Sequence, residues 1–64
     1  MFMYIVYWVE IMSGHDDWAR VHLKMDTAEK AAEWARAHLA AWIAFRVMMW
    51  DGSKRYIHSS HIVP

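Results

Sequence analysis

Apolar side chains occupy both faces of the run Phe2 to Met12, FMYIVYWVEIM, and few folded environments accept such a segment. At period two, one face carries Met3, Ile5, Tyr7, Val9 and Ile11, and the other carries Phe2, Tyr4, Val6 and Trp8 until Glu10 interrupts it. The run is rich in β-branched and aromatic residues and has no Gly or Pro, so it reads as a strand. A strand that is apolar on both sides belongs in the middle of a sheet with a covering layer on each side. One layer can come from the chain's own core, while the other calls for a second layer, a partner or a twin.

The chain has 64 residues, enough for one domain (1–64) that buries only about 60% of its unfolded surface. Without cysteine it has no disulfide, no thiolate chemistry and no Cys-type zinc site, and a reducing cytoplasmic compartment is the expected home, the host cytoplasm if the protein is viral. Seven basic and seven acidic side chains cancel, which argues against a strongly basic nucleic-acid binder and against an acidic DNA mimic. The apolar N-terminal run lacks a basic leader and meets Glu10 before it could span a bilayer, so neither a targeting segment nor a membrane role is expected, and the chain reads as a complete small protein.

Ser13 to Asp17 has the composition of a hairpin loop. Strict alternation follows, with Ala19, Val21, Leu23 and Met25 on one side and Arg20, His22 and Lys24 on the other, a half-buried strand with Trp18 at its entrance. Asp26 then stands as an N-cap with Glu29 completing a capping box, and a helix is predicted from Thr27 to about Ala41. Its buried stripe is Ala28, Ala32, Ala35, Leu39 and Trp42, with Ala31 beside it and Trp34 on the flank. Residues 43–50 alternate again as a third strand, Asp51-Gly52 signals a turn, and Lys54 to His58 return as a short fourth strand, leaving 59–64 as a tail or an edge cover. Two antiparallel hairpins joined by a right-handed crossover helix give an α+β, ββαββ domain: a four-stranded antiparallel sheet of order 2-1-3-4 with one helix packed on one face.

Catalysis finds little support. His58 and His61 are spaced three apart in a strand or tail and do not point the same way, and no converging ligand set is evident, so no metal and no cofactor are expected. Ser13, His15 and Asp17 are neighbours in one loop without an oxyanion hole, and the two glycines form no phosphate loop. The informative constellation is the sheet face away from the helix. With odd positions of the first strand turned to the core, that face presents Tyr4, Val6, Trp8, Arg20, His22, Lys24, Arg46, Met48, Trp50 and Arg55, and its Trp, Tyr, Met and Arg are residue types enriched at interfaces. The expected function is non-catalytic protein binding. Alternatives are single-stranded nucleic-acid binding by the same aromatic and basic face, or a homodimeric structural protein. These side chains could also simply pack on each other.

A short chain with an aliphatic and aromatic first strand, a second strand leading into Asp26-Thr-Ala-Glu29-Lys-Ala31, one helix and a closing hairpin resembles the small inhibitors encoded by bacteriophages, among them some anti-CRISPR proteins. The resemblance implies a non-enzymatic protein that binds a bacterial effector complex and blocks nucleic-acid access or nuclease recruitment. It assigns no residue, and the neutral charge places steric occlusion ahead of DNA mimicry.

Overall fold

The computed structural model of the chain describes residues 5–21 and 24–62, and in it the doubly apolar run lies inside the sheet. Strand β1 (Val6–Gly14) pairs antiparallel with β2 (Asp17–Arg20) on one side and with β3 (Phe45–Trp50) on the other. β4 (Arg55–His61) pairs antiparallel with β3, so the order is β2-β1-β3-β4, and helix α1 (Ala28–His38) crosses between β2 and β3. Both the fold class and the strand order are those expected from the residue pattern.

The first hairpin is tighter than its composition suggested. β1 continues to Gly14 and β2 starts at Asp17, so the loop shrinks to His15 and Asp16, with Trp18 inside the strand. Asp16 takes the left-handed backbone conformation, φ 63°, which Asp tolerates better than most residues. Beyond Arg20 regular pairing stops, but Val21 still donates to the Val9 carbonyl (3.1 Å), and Met25 exchanges two backbone hydrogen bonds with Tyr7 (3.0 and 2.8 Å). Val21 and Met25 pack on the core, as the alternation implied, while His22 and Leu23 lie outside the described residues.

Odd positions of β1 face the helix. Val9, Phe45 and Val47 meet Ala28, Ala31 and Ala35 of α1, with Tyr7, Ile11, Val21, Met25, Trp34 and Leu39 around them. Ala31 and Ala35 are fully buried, and these small side chains let the helix backbone approach the sheet closely while the strands supply the core volume.

The helix ends differ from expectation at both termini. Thr27, not Asp26, is the N-cap: it is extended (φ −135°, ψ 152°) and its hydroxyl oxygen accepts from the Lys30 backbone N–H at 3.1 Å. Asp26 instead pairs with the Lys30 ammonium at 3.2 Å, an exposed contact one turn away that adds little. Two cap-forming residues stand side by side, and the helix begins one residue later than the Asp26 box required. Thr27→Ala is therefore expected to cost about 1 kcal/mol and Asp26→Ala only a few tenths, as thermal midpoints of the two variants will show. Equal losses would contradict this assignment.

At the other end α1 stops at His38. Leu39 is already extended, with its N–H on the Ala35 carbonyl at 2.9 Å, and Ile43 closes a turn onto Ala40. Helix propensity alone favoured continuing to Ala41, but Phe45 must pair with Ile11, and residues 40–44 are spent returning the chain to the sheet. Trp42, expected in the buried stripe, is consequently 78% exposed.

The second hairpin turns at Asp51-Gly52, as expected. Gly52 has φ 99°, and one carboxylate oxygen of Asp51 accepts from the Ser53 N–H and hydroxyl (both 2.9 Å) and from the Lys54 N–H (3.1 Å). The two backbone N–H groups, Ser53 first, hold the Asp51 carboxyl down at about 2. β4 is longer than expected: Ser59, Ser60 and His61, expected in a tail, are paired with Val47, Arg46 and Phe45. The pairing skips one residue, since Val47 lies opposite Ser59 and Met48 opposite Ile57, so His58 is the extra residue of a bulge. That bulge overturns the expectation that His58 and His61 point to different sides. His58 meets Tyr7 edge-on (5.7 Å) and His61 stacks on Phe45 (5.2 Å), both on the helix side of the sheet.

Candidate interface on the helix-free face

Period-two geometry and the register of the ladders define the second face row by row. Val6, Trp50 and Arg55 form one row, and Trp8, Met48 and Ile57 form the next. Arg20, Glu10, Arg46 and Ser60 follow, and Trp18 and Met12 lie nearest the first hairpin. No helix covers this face, yet its centre is buried: Val6, Trp8 and Met48 form a small second core, with Trp8 only 3% exposed.

Long polar side chains provide the cover. The Arg20 guanidinium lies 4.4 Å above the Trp8 ring, and that of Arg46 lies 4.4 Å above Trp18. Between them sits Glu10, 7% exposed, which accepts from Trp8 Nε1 on one oxygen (2.9 Å) and from Arg46 Nε and Nη2 on the other (2.9 and 2.8 Å). Burial pushes the Glu10 carboxyl up, but the hydrogen bonds from Trp8 and Arg46 and the charges of Arg46 and Arg20 outweigh it, so the group lies below its ordinary value. Glu10 was read as the residue that breaks the apolar face. It is instead the acceptor around which the middle of that face is organised, and no residue pattern within a single strand signals such a cross-strand pair.

At the end of the face remote from the first hairpin is a hollow of about 240 Å³ lined by Val6, Trp8, Arg20, Lys24, Trp50 and Arg55. It is smaller than the ~300–1,000 Å³ usual for organic ligands, and suits one side chain or a small group. Five of the residues expected to meet a partner thus converge there: Trp8, Arg20, Lys24, Trp50 and Arg55. Val6 joins them. Of the other expected residues, Met48 is buried beneath, Arg46 is held by Glu10, and Tyr4 and His22 lie outside the described residues. Trp8 contributes to the floor and not to the accessible rim, so part of the aromatic surface is used within the chain itself. The accessible apolar groups on this face are Trp50, Ile57 and Met12, at 36%, 55% and 42% exposure. Ile57 could not be placed from sequence because the bulge hides the register of β4.

The face is strongly biased in charge. It carries Arg20, Lys24, Arg46 and Arg55 against the single carboxylate of Glu10, although the whole chain has seven charges of each sign. Among the described residues, neither Lys24 nor Arg55 forms an ion pair.

Ser13, His15 and Asp17 stand at the exposed hairpin, where His15 approaches Asp16 at 3.5 Å with side chains 98% and 90% exposed, a setting that excludes no water. Among the described residues no group of three or more His, Cys, Asp or Glu side chains could hold a metal ion, and no helix is long and apolar enough to cross a membrane. Comparison with protein-family models, curated proteins and solved structures finds no match to this chain.

Proposed function

We propose that the chain is a non-catalytic protein-binding module that engages its partner through the helix-free sheet face. The observation that carries this reading is the concentration of Trp50, Arg20, Lys24 and Arg55 around one shallow hollow, with Ile57 exposed in the neighbouring row, on a face that no other element covers among the described residues. Aromatic and Arg side chains at the centre of a patch supply most of the energy in known interfaces. The narrower form of the proposal is an inhibitor that occludes a bacterial effector complex, in the manner of the small phage proteins the architecture resembles. A second reading is single-stranded nucleic acid stacked on Trp50 with phosphates at Lys24 and Arg55. Only a few cations are available for it, and two of the face's four guanidinium or ammonium groups, Arg20 and Arg46, already lie on aromatic rings.

Capture from bacterial lysate with and without nuclease treatment, comparing the parent with Trp50→Ala and Arg55→Ala, tests the proposal with variants at exposed positions that leave Trp8 and Glu10 in place. A protein retained by the parent, lost by both variants and weakly dependent on salt is the expected result. Retention of nucleic acid with an affinity that falls steeply with salt would replace it by the second reading.

A further inference from the structure

The hollow on the helix-free face has no acidic residue in its lining. Its apolar surface is Val6, Trp8 and Trp50, and its three cations come from three separate stretches of chain: Arg20 from β2, Lys24 from the link between β2 and α1, and Arg55 from β4. Arg20 is already seated on the Trp8 ring. Lys24 and Arg55, both exposed, form no ion pair among the described residues. The pairing of Met25 with Tyr7 lays the link beside β1, so Lys24 and Arg55 border the hollow from opposite sides, their backbones three strand spacings or about 14 Å apart.

Two cations facing each other across an apolar floor define the chemistry of an occupant: an apolar group with a negative charge on each side of it. In an extended peptide the side chains i, i+2 and i+4 point the same way, and i and i+4 lie about 13 Å apart, close to the separation of Lys24 and Arg55. A single-stranded nucleic acid matches this layout less well. Its phosphates follow one another along a backbone and call for a groove lined with cations, whereas Lys24 and Arg55 flank one hollow the size of a side chain. We infer that the hollow takes an extended acidic segment of a partner protein, of the pattern acid-x-apolar-x-acid, with the central side chain against Trp8 and Trp50 and the two carboxylates at Lys24 and Arg55. This inference rests on the reading of the face as a protein-binding surface and gives the chemistry of the partner.

Two-dimensional NMR of the isotope-labelled protein, titrated with end-capped pentapeptides, tests it. The probe is Glu-Thr-Phe-Thr-Glu. Among the controls, Thr-Glu-Phe-Glu-Thr keeps the composition but turns both carboxylates to the opposite side of the strand from Phe, Glu-Thr-Ala-Thr-Glu lacks the apolar group, and Lys-Thr-Phe-Thr-Lys reverses the charge. The probe is expected to shift the Trp8 and Trp50 indole N–H signals and to leave in place that of the exposed Trp42, beyond the end of α1, with each control binding about fivefold or more weakly. A variant carrying Lys24→Glu and Arg55→Glu, both at exposed positions and expected to keep the parent's circular dichroism, should prefer the lysine peptide. No binding, equal binding of the probe and any control, or an unchanged preference in the double variant overturns the inference. So does a short oligothymidylate that shifts the same signals at a lower concentration, which would favour the nucleic-acid reading of the face. Where the peptides fail but the parent still captures a protein lost by Trp50→Ala, this partner chemistry is wrong while protein binding by the face stands.

Discussion

Trp8→Ala is expected to remove most of the protein's stability, whereas Trp50→Ala, two strand rows from Glu10, is expected to change stability by less than about 1 kcal/mol. Trp8 is 3% exposed, and truncating a buried indole to a methyl group costs roughly 3–5 kcal/mol. A domain of this size holds a total near the lower end of the usual ~5–15 kcal/mol. The loss has three parts: apolar burial with Val6 and Met48, the ring beneath Arg20, and the N–H that Glu10 accepts. Trp8→Phe separates them, because it keeps a ring for Arg20 and most of the volume but removes the donor, and it should fall between parent and alanine. Urea titrations of the variants provide the measurement. A Trp8→Ala midpoint close to the parent's would mean that the second face is not a core at all. The practical corollary is that a binding defect in Trp8→Ala would report unfolding, so interface tests belong at Trp50 and Arg55.

Arg46→Met is expected to cost about 3 kcal/mol, and Glu10→Leu combined with Arg46→Met to recover most of it. Removing one partner of a largely buried pair leaves the other desolvated and underpaired, while an apolar pair of similar volume incurs no such penalty. Arg46 and Glu10 are 21% and 10% exposed along their side chains, and the guanidinium reaches one carboxylate oxygen with two nitrogens, so the pair is better placed than an open surface bridge. The pH dependence follows from the lowered Glu10 carboxyl. Stability from the pair is fully present above the unfolded carboxylate value, near 4.5, and is lost as pH falls through the lower folded value. The double variant lacks this component, so its stability should change less than the parent's on acidification below about pH 4.5. Identical acid profiles for the two proteins would remove Glu10 from the account.

Much of the fold is legible in the residues because few signals compete. The doubly apolar run demands a central position, and the two hairpins with a crossover helix leave 2-1-3-4 as the order that satisfies it. Once order and parity are known, Arg20, Lys24 and Trp50 fall on the same face as Trp8 without knowledge of any side-chain contact. What stays hidden are features that one residue or one tertiary contact decides. Asp26 and Thr27 are both good caps, and only backbone geometry chooses Thr27. Ala40 and Ala41 favour helix, yet the pairing of Phe45 with Ile11 ends α1 earlier and turns Trp42 outward. The Ile57/His58 bulge shifts half of β4 by one residue and reverses the side on which each following residue lies. Burial of Trp8 under Arg20 is equally invisible, since a Trp and an Arg on one face are as typical of an open interface as of a closed cation–π stack.

Helix α1 contacts β1 and β3, and every residue of β4 is exposed. An α-helix about 10 Å wide can shelter only two strands spaced 4.8 Å apart, so β4 is held chiefly by its ladder to β3 and by the two histidine ring contacts. The protein is thus a tightly built three-stranded unit with a loosely attached ribbon. Amide protons of β4 should exchange with solvent through a partial opening that leaves the Trp8 and Met48 amides, which face each other between β1 and β3, protected, and each such opening turns β3 for a moment into the border of the sheet. Any second chain that adds to this molecule by backbone pairing would do so there, in competition with the ribbon's own return.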